Sequence, residues 1–119
     1  MLRKKHLISA IAISVAMLGG QLSANQAGDA EPGGDIAKGQ AVYETDCAVC
    51  HGPDGKAQTN LMGTAADLTD PQYFKNGGSL DQITASIENG VGNGMPAWKT
   101  QLSKEQIRDV SAFVFSLRE

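Results

Sequence analysis

The sequence predicts an all-α domain of three to four short helices joined by long loops. Three observations carry this. "SLDQITASIENG" and "LSKEQIRDVSAFVFSL" each open on a capping box, Ser79-x-x-Gln82 and Ser103-x-x-Gln106. Ile83 and Ile87, and then Ile107, Val110, Phe113, Val114 and Leu117, recur at helical spacing. The stretches between them are rich in Gly, Asp, Asn and Pro, and none alternates as a strand does.

The 119-residue chain begins "MLRKKHLISAIAISVAMLGG". Arg3, Lys4, Lys5 and His6 precede a 12-residue apolar run, Leu7 to Leu18, broken only by Ser9 and Ser14. A basic start followed by such a run marks an export signal. A membrane-spanning helix needs about 20 apolar residues. Residues 1–24 are therefore expected to be a signal peptide, with cleavage between 20 and 30. Residues 25–34 are polar and read as a flexible lead-in. The folded domain is expected over 35–119.

Loss of residues 1–24 removes three of the ten Lys and Arg and none of the 13 acids. Seven basic side chains then face 13 acidic ones, and the net charge moves from −3 to −6. No basic stripe remains to bind phosphates, which excludes a nucleic-acid partner. Aromatic residues make up only 5% of the chain. A domain this small with so thin a core needs a disulfide, a metal or a bound cofactor to hold it together.

The first helix is predicted from Ile36 to about Asp46, with Asp35 as N-cap. Gly39 inside it costs about 1 kcal/mol relative to Ala, which predicts close approach by another element. Residues 52–67 read as loop. Asp70-Pro71 looks like an N-cap with Pro in the first turn, opening a short helix through Phe74 that Gly77 and Gly78 end. The next helix runs about ten residues from Ser79 to a stop at Gly90. "VGNGMPAW" is too rich in Gly to be helical throughout. The last helix is predicted over Lys104–Leu117.

Both cysteines and one of the two histidines fall in "CAVCH", Cys47 to His51. C-x-x-C-H is a haem attachment pattern. Two thiols three positions apart reach the two vinyl groups on one edge of a porphyrin and form thioethers. The next residue, His51, then lies under the iron. Competing readings fit less well. A structural zinc needs four ligands, and only His6 remains to join these three, inside the signal segment. A redox dithiol needs a βαβ setting, and no strands are predicted. A disulfide across two residues closes a tiny loop and stabilises little.

A second axial ligand must come from Met62 or Met95 once Met17 is removed. Met95 sits in "GNGMPAW", where flanking glycines permit unusual backbone and Pro96 fixes the chain after it. It follows His51 by 44 residues, enough chain to reach the opposite haem face, whereas Met62 follows by 11. Met95 is the favoured ligand, because Met/His ligation suits electron transfer.

Over Asp35 to Leu117 the sequence resembles class I c-type cytochromes, in particular the haem domains of the third subunit of cbb3-type oxidases. The resemblance rests on "GQAVYETDCAVCHGPDGK", "ADLTD", "SLDQITASIENGVGNGMPAW" and the final helix. It implies a cytochrome c-like fold wrapped around one covalently bound haem c. Cys47 and Cys50 match the thioether cysteines, His51 the proximal ligand and Met95 the distal ligand. Gly39 and Tyr43 match the positions where the first helix crosses the last, near Phe113. Trp98 matches a residue packed near the haem. Relatives often carry Pro before the Asp-Leu pair, whose local carbonyl accepts a hydrogen bond from the proximal His. Here Ala65 and Ala66 stand there, and a backbone carbonyl remains available.

The expected function is a periplasmic electron carrier, not an enzyme. Its partners would be a periplasmic or inner-membrane oxidase, reductase or dehydrogenase, and it would meet the membrane only by transient docking. The alternative is a haem subunit acting inside a larger oxidoreductase complex. A labile sixth ligand would instead suit gas sensing, and "GMPAW" argues against that.

Overall fold

The computed structural model describes residues 33–58 and 65–118. The expected signal segment, residues 25–32 of the expected lead-in and Met62 lie outside them. Among the described residues the architecture is all-α, and the one extended feature is an isolated antiparallel bridge between Val91 and Met95.

Helix α1 spans Ile36–Val42. The Asp35 carboxylate accepts from the Lys38 N–H at 3.0 Å, as an N-cap should. The helical path continues beyond the predicted end near Asp46. It widens into a π-helical turn over Tyr43–Cys47 and then closes as one α-turn, α2, over Ala48–His51. A π turn has no 3.6-residue signature, which is why the apolar spacing ended too early. Gly52 stops the run with φ 78°, a conformation that only glycine adopts without strain.

The short helix expected after Asp70 is a single 3-10 turn, Pro71–Tyr73. Helix α3 spans Leu80–Asn89 and α4 spans Lys104–Ser116, one residue short of the predicted end. Both capping boxes are complete: each serine hydroxyl accepts from the backbone of the glutamine, and each glutamine side chain accepts from the serine N–H.

The core forms where α3 and the π turn after α1 pack on α4. Tyr43, Ile83, Ile87, Ile107, Val110 and Val114 are buried together. Helix α1 lies on α4 at the closest spacing backbone allows. A Cβ on Gly39 would stand 2.0 Å from the carbonyl oxygen of Asp109. One turn on, the Tyr43 and Phe113 rings meet with centroids 5.1 Å apart and planes tilted by 54°. The crossing that Gly39 predicted is therefore present. It is tied at one end by the buried Asp109 carboxylate, which accepts from the Asp35 N–H at 2.8 Å.

Candidate functional site

Cys47 closes the π turn, and Cys50 and His51 lie on α2, so one continuous helical stretch presents all three side chains. Both cysteines are free and half-buried. Burial pushes the Cys47 thiol up to about 12, with the Asp46 carboxylate and Cys50 adding to the effect. A thiol so hard to ionise is a poor redox nucleophile at neutral pH, which counts against the dithiol reading.

His51 is fixed at both ends. Its carbonyl accepts from the Ala57 N–H at 2.8 Å. Its ring Nδ1 lies 3.0 Å from the Ala66 carbonyl oxygen. A carbonyl only accepts, so Nδ1 carries the proton, and in the neutral imidazole Nε2 keeps its lone pair. That is the tautomer a metal ligand needs. The bond expected at "GTAADLTD" is present without a proline.

Ala66 is held in turn. Two residues on, the Leu68 N–H donates to the Gly55 carbonyl at 2.7 Å. Beside it the Asp67 carboxylate accepts from the Thr69 hydroxyl at 2.7 Å and from the Thr69 N–H at 2.8 Å.

Met95 lies in the loop after α3. Its backbone pairs with Val91 in both directions, at 3.0 and 3.2 Å. The chain then returns to α3, where the Trp98 N–H donates to the Ile87 carbonyl at 2.9 Å. Gly90 makes this fold-back possible. It sits at φ 76°, and a Cβ there would stand 2.6 Å from the Met95 carbonyl oxygen.

Met95, Cys47, Leu68, Phe74, Trp98 and Leu102 all pack against the central core while keeping some surface exposed. Cys47 at the start of the C-x-x-C-H segment and Met95 thus border the same core. Unpaired thiols, a free Nε2 and these apolar surroundings all fit a covalently attached haem.

Two groups, one beside the site and one at the α1–α4 crossing, escaped sequence reasoning. The Tyr43 hydroxyl donates to the Gly52 carbonyl at 2.6 Å, fully buried. Burial raises it well above the ordinary tyrosine range, with Cys47 and Asp54 contributing. Tyr instead of Phe at position 43 was the available signal. The other group is Asp109, whose α4 position gave no hint of its contact with Asp35.

Residues 34–114 match the family described as cytochrome C oxidase, cbb3-type, subunit III. The cbb3-type cytochrome c oxidase subunit CcoP of Rhodobacter capsulatus is 41% identical over 86 residues, 66% of this chain and 28% of that protein. Cytochrome c6 of Bryopsis maxima is 37% identical over 84 residues, 70% of this chain and 92% of that one. The solved structure of cytochrome c6 from the diatom Phaeodactylum tricornutum superposes with a TM-score of 0.59 at 30% identity, covering 70% of this chain and 93% of that one. The chain belongs to the cbb3-type subunit III family of class I c-type cytochromes, and it carries one haem c. It spans little more than a quarter of the length of the CcoP relative.

Proposed function

We propose that the chain carries single electrons between redox proteins in the periplasm. One haem would be held through thioethers from Cys47 and Cys50, with His51 and Met95 as axial ligands. The observation that carries this is the Nδ1 bond of His51 to Ala66 within a C-x-x-C-H segment. When bound, the haem supplies the one-electron couple.

The chain's residues supply the rest. The Ala66 carbonyl fixes the His51 tautomer and raises its basicity as a ligand. The Val91 pairing holds the backbone of Met95, whose thioether would be a soft ligand that favours electron transfer. The apolar surroundings keep water from the iron. With His51 and Met95 both bound to the iron there would be no open site for a substrate, and the chain alone would not act as an enzyme. Partner encounters would be small and brief. The partners would be a periplasmic or inner-membrane oxidase, reductase or dehydrogenase, with the membrane touched only through docking. No described helix is long and apolar enough to cross a membrane.

A second reading has specific support. The 41% identity to an oxidase subunit favours a haem subunit that works inside a larger complex. The two readings separate on isolation. The carrier reading expects the periplasmic fraction to yield the free protein, cleaved between residues 20 and 30, with a mass one haem above the polypeptide. Recovery only in a stable complex supports the subunit reading. A mass without haem contradicts both.

A further inference from the structure

We infer that the Tyr43 hydroxyl is a positioning group for His51, acting through the Gly52 carbonyl. The inference rests on His51 being an iron ligand. The Tyr43 ring already has a structural role against Phe113, and a phenylalanine would fill it. The hydroxyl is separate. Burying it is unfavourable unless it is bonded, and it is fully buried. It donates at 2.6 Å to one carbonyl, that of the residue directly after His51.

That carbonyl is the root of the structure that holds the ligand. Gly52 also accepts from the Gly55 N–H at 3.2 Å. The Gly55 carbonyl accepts from Leu68, which fixes the segment bearing Ala66. The Ala66 carbonyl accepts from the His51 ring. The His51 carbonyl is tied to Ala57, which holds φ 55°, a left-handed conformation unusual for alanine. Two hydrogen-bonded paths from the Gly52–Ala57 turn thus end on His51, one on its backbone and one on its ring. Tyr43 reaches this turn from the core and hydrogen-bonds it. The position of its hydroxyl, set by the α1–α4 crossing, is transmitted to the ring nitrogen that bonds Ala66.

A loosened turn weakens the Nδ1–H bond to Ala66. The imidazole then becomes less basic, and the oxidised iron is favoured less. The test is Tyr43→Phe in the haem-loaded protein. Exchange of the His51 Nδ1 proton with solvent, read by NMR in the reduced state, should rise about tenfold, while the core amide of Val110 stays within about threefold. The reduced-to-oxidised ratio at fixed ambient potential should rise about threefold, ~30 mV for one electron. Phe113→Leu removes the ring contact and keeps the hydroxyl. It should lower global stability and leave both readouts unchanged. Tyr43→Phe that leaves Nδ1–H exchange and potential unchanged, or that moves Nδ1–H and Val110 together, overturns the inference.

The wild-type protein gives an answer even where Tyr43→Phe does not take up haem. The Tyr43 hydroxyl proton and the His51 Nδ1 proton should exchange with the same dependence on denaturant, because one opening frees both. Different dependences overturn the inference. The ligand reading is checked apart from it: iron-bound His51 must show ring protons strongly displaced by the haem ring current. Undisplaced ring protons overturn both, whereas displaced ones with no Tyr43 effect overturn only the inference.

Discussion

His51 Nδ1 and the Ala66 carbonyl oxygen lie 3.0 Å apart across 15 residues of chain, joining the C-x-x-C-H helix to the segment after the loop. The bond uses a backbone acceptor, so it survives where relatives often carry proline. It also makes the 65–69 segment part of the candidate site.

Asp67, next to Ala66, gives that segment a pH dependence. The Thr69 hydroxyl and N–H hold its carboxyl below the usual carboxylate range, and Lys56 adds to this. A carboxyl with a lowered folded value contributes stability above the ordinary Asp range. That contribution is lost as pH falls through the lowered value. Asp67→Asn should therefore be less stable than wild type at neutral pH, and the gap should shrink by about pH 3. Denaturant unfolding at the two pH values measures it; a gap that widens in acid contradicts the assignment.

Gly39→Ala should be strongly destabilising, by about 3 kcal/mol, because the new Cβ would meet the Asp109 carbonyl and push α1 off α4. Equilibrium unfolding followed by far-UV circular dichroism checks this. A loss under about 0.5 kcal/mol, the size of an ordinary surface change, would mean that the crossing is not this tight.

Much of the fold was legible because its signals are local. A capping box is written within four residues, and both were read correctly at Ser79 and Ser103. Gly39 was legible because a glycine inside a helix demands a reason. C-x-x-C-H was legible because the macrocycle dictates its spacing. What was missed depends on the assembled fold. Asp35 and Asp109 are 74 residues apart, and only the α1–α4 crossing makes them partners. The Tyr43–Gly52 bond depends on the π turn, which has no periodic signature. The Met95 loop was placed by its glycines, but its pairing with Val91 was not visible in them.

Ser103→Ala should cost about 1 kcal/mol, since it removes the acceptor for the Gln106 N–H at the start of the helix that carries most of the core. Thermal unfolding should show the shift, and the haem spectrum should not change. A spectral change would mean that α4 couples to the iron more directly than its packing suggests.

Gly90→Ala tests the Met95 loop. Both the positive φ and the approach of the Met95 carbonyl exclude a side chain there. The variant should keep covalent haem and lose or weaken the methionine-to-iron charge-transfer band of the oxidised state. An intact band at full strength would show that the 91–95 pairing does not place the ligand.

The most direct test of the account is the visible absorption spectrum of the exported wild-type protein beside Met95→Ala, oxidised and reduced, with carbon monoxide added last. The account predicts a low-spin c-type spectrum for the wild type, with a weak methionine-to-iron band when oxidised and no response to carbon monoxide. Met95→Ala should lose the band and bind carbon monoxide. A wild type that is high-spin or binds carbon monoxide readily, or a Met95→Ala spectrum identical to wild type, would contradict the proposed His51/Met95 ligation.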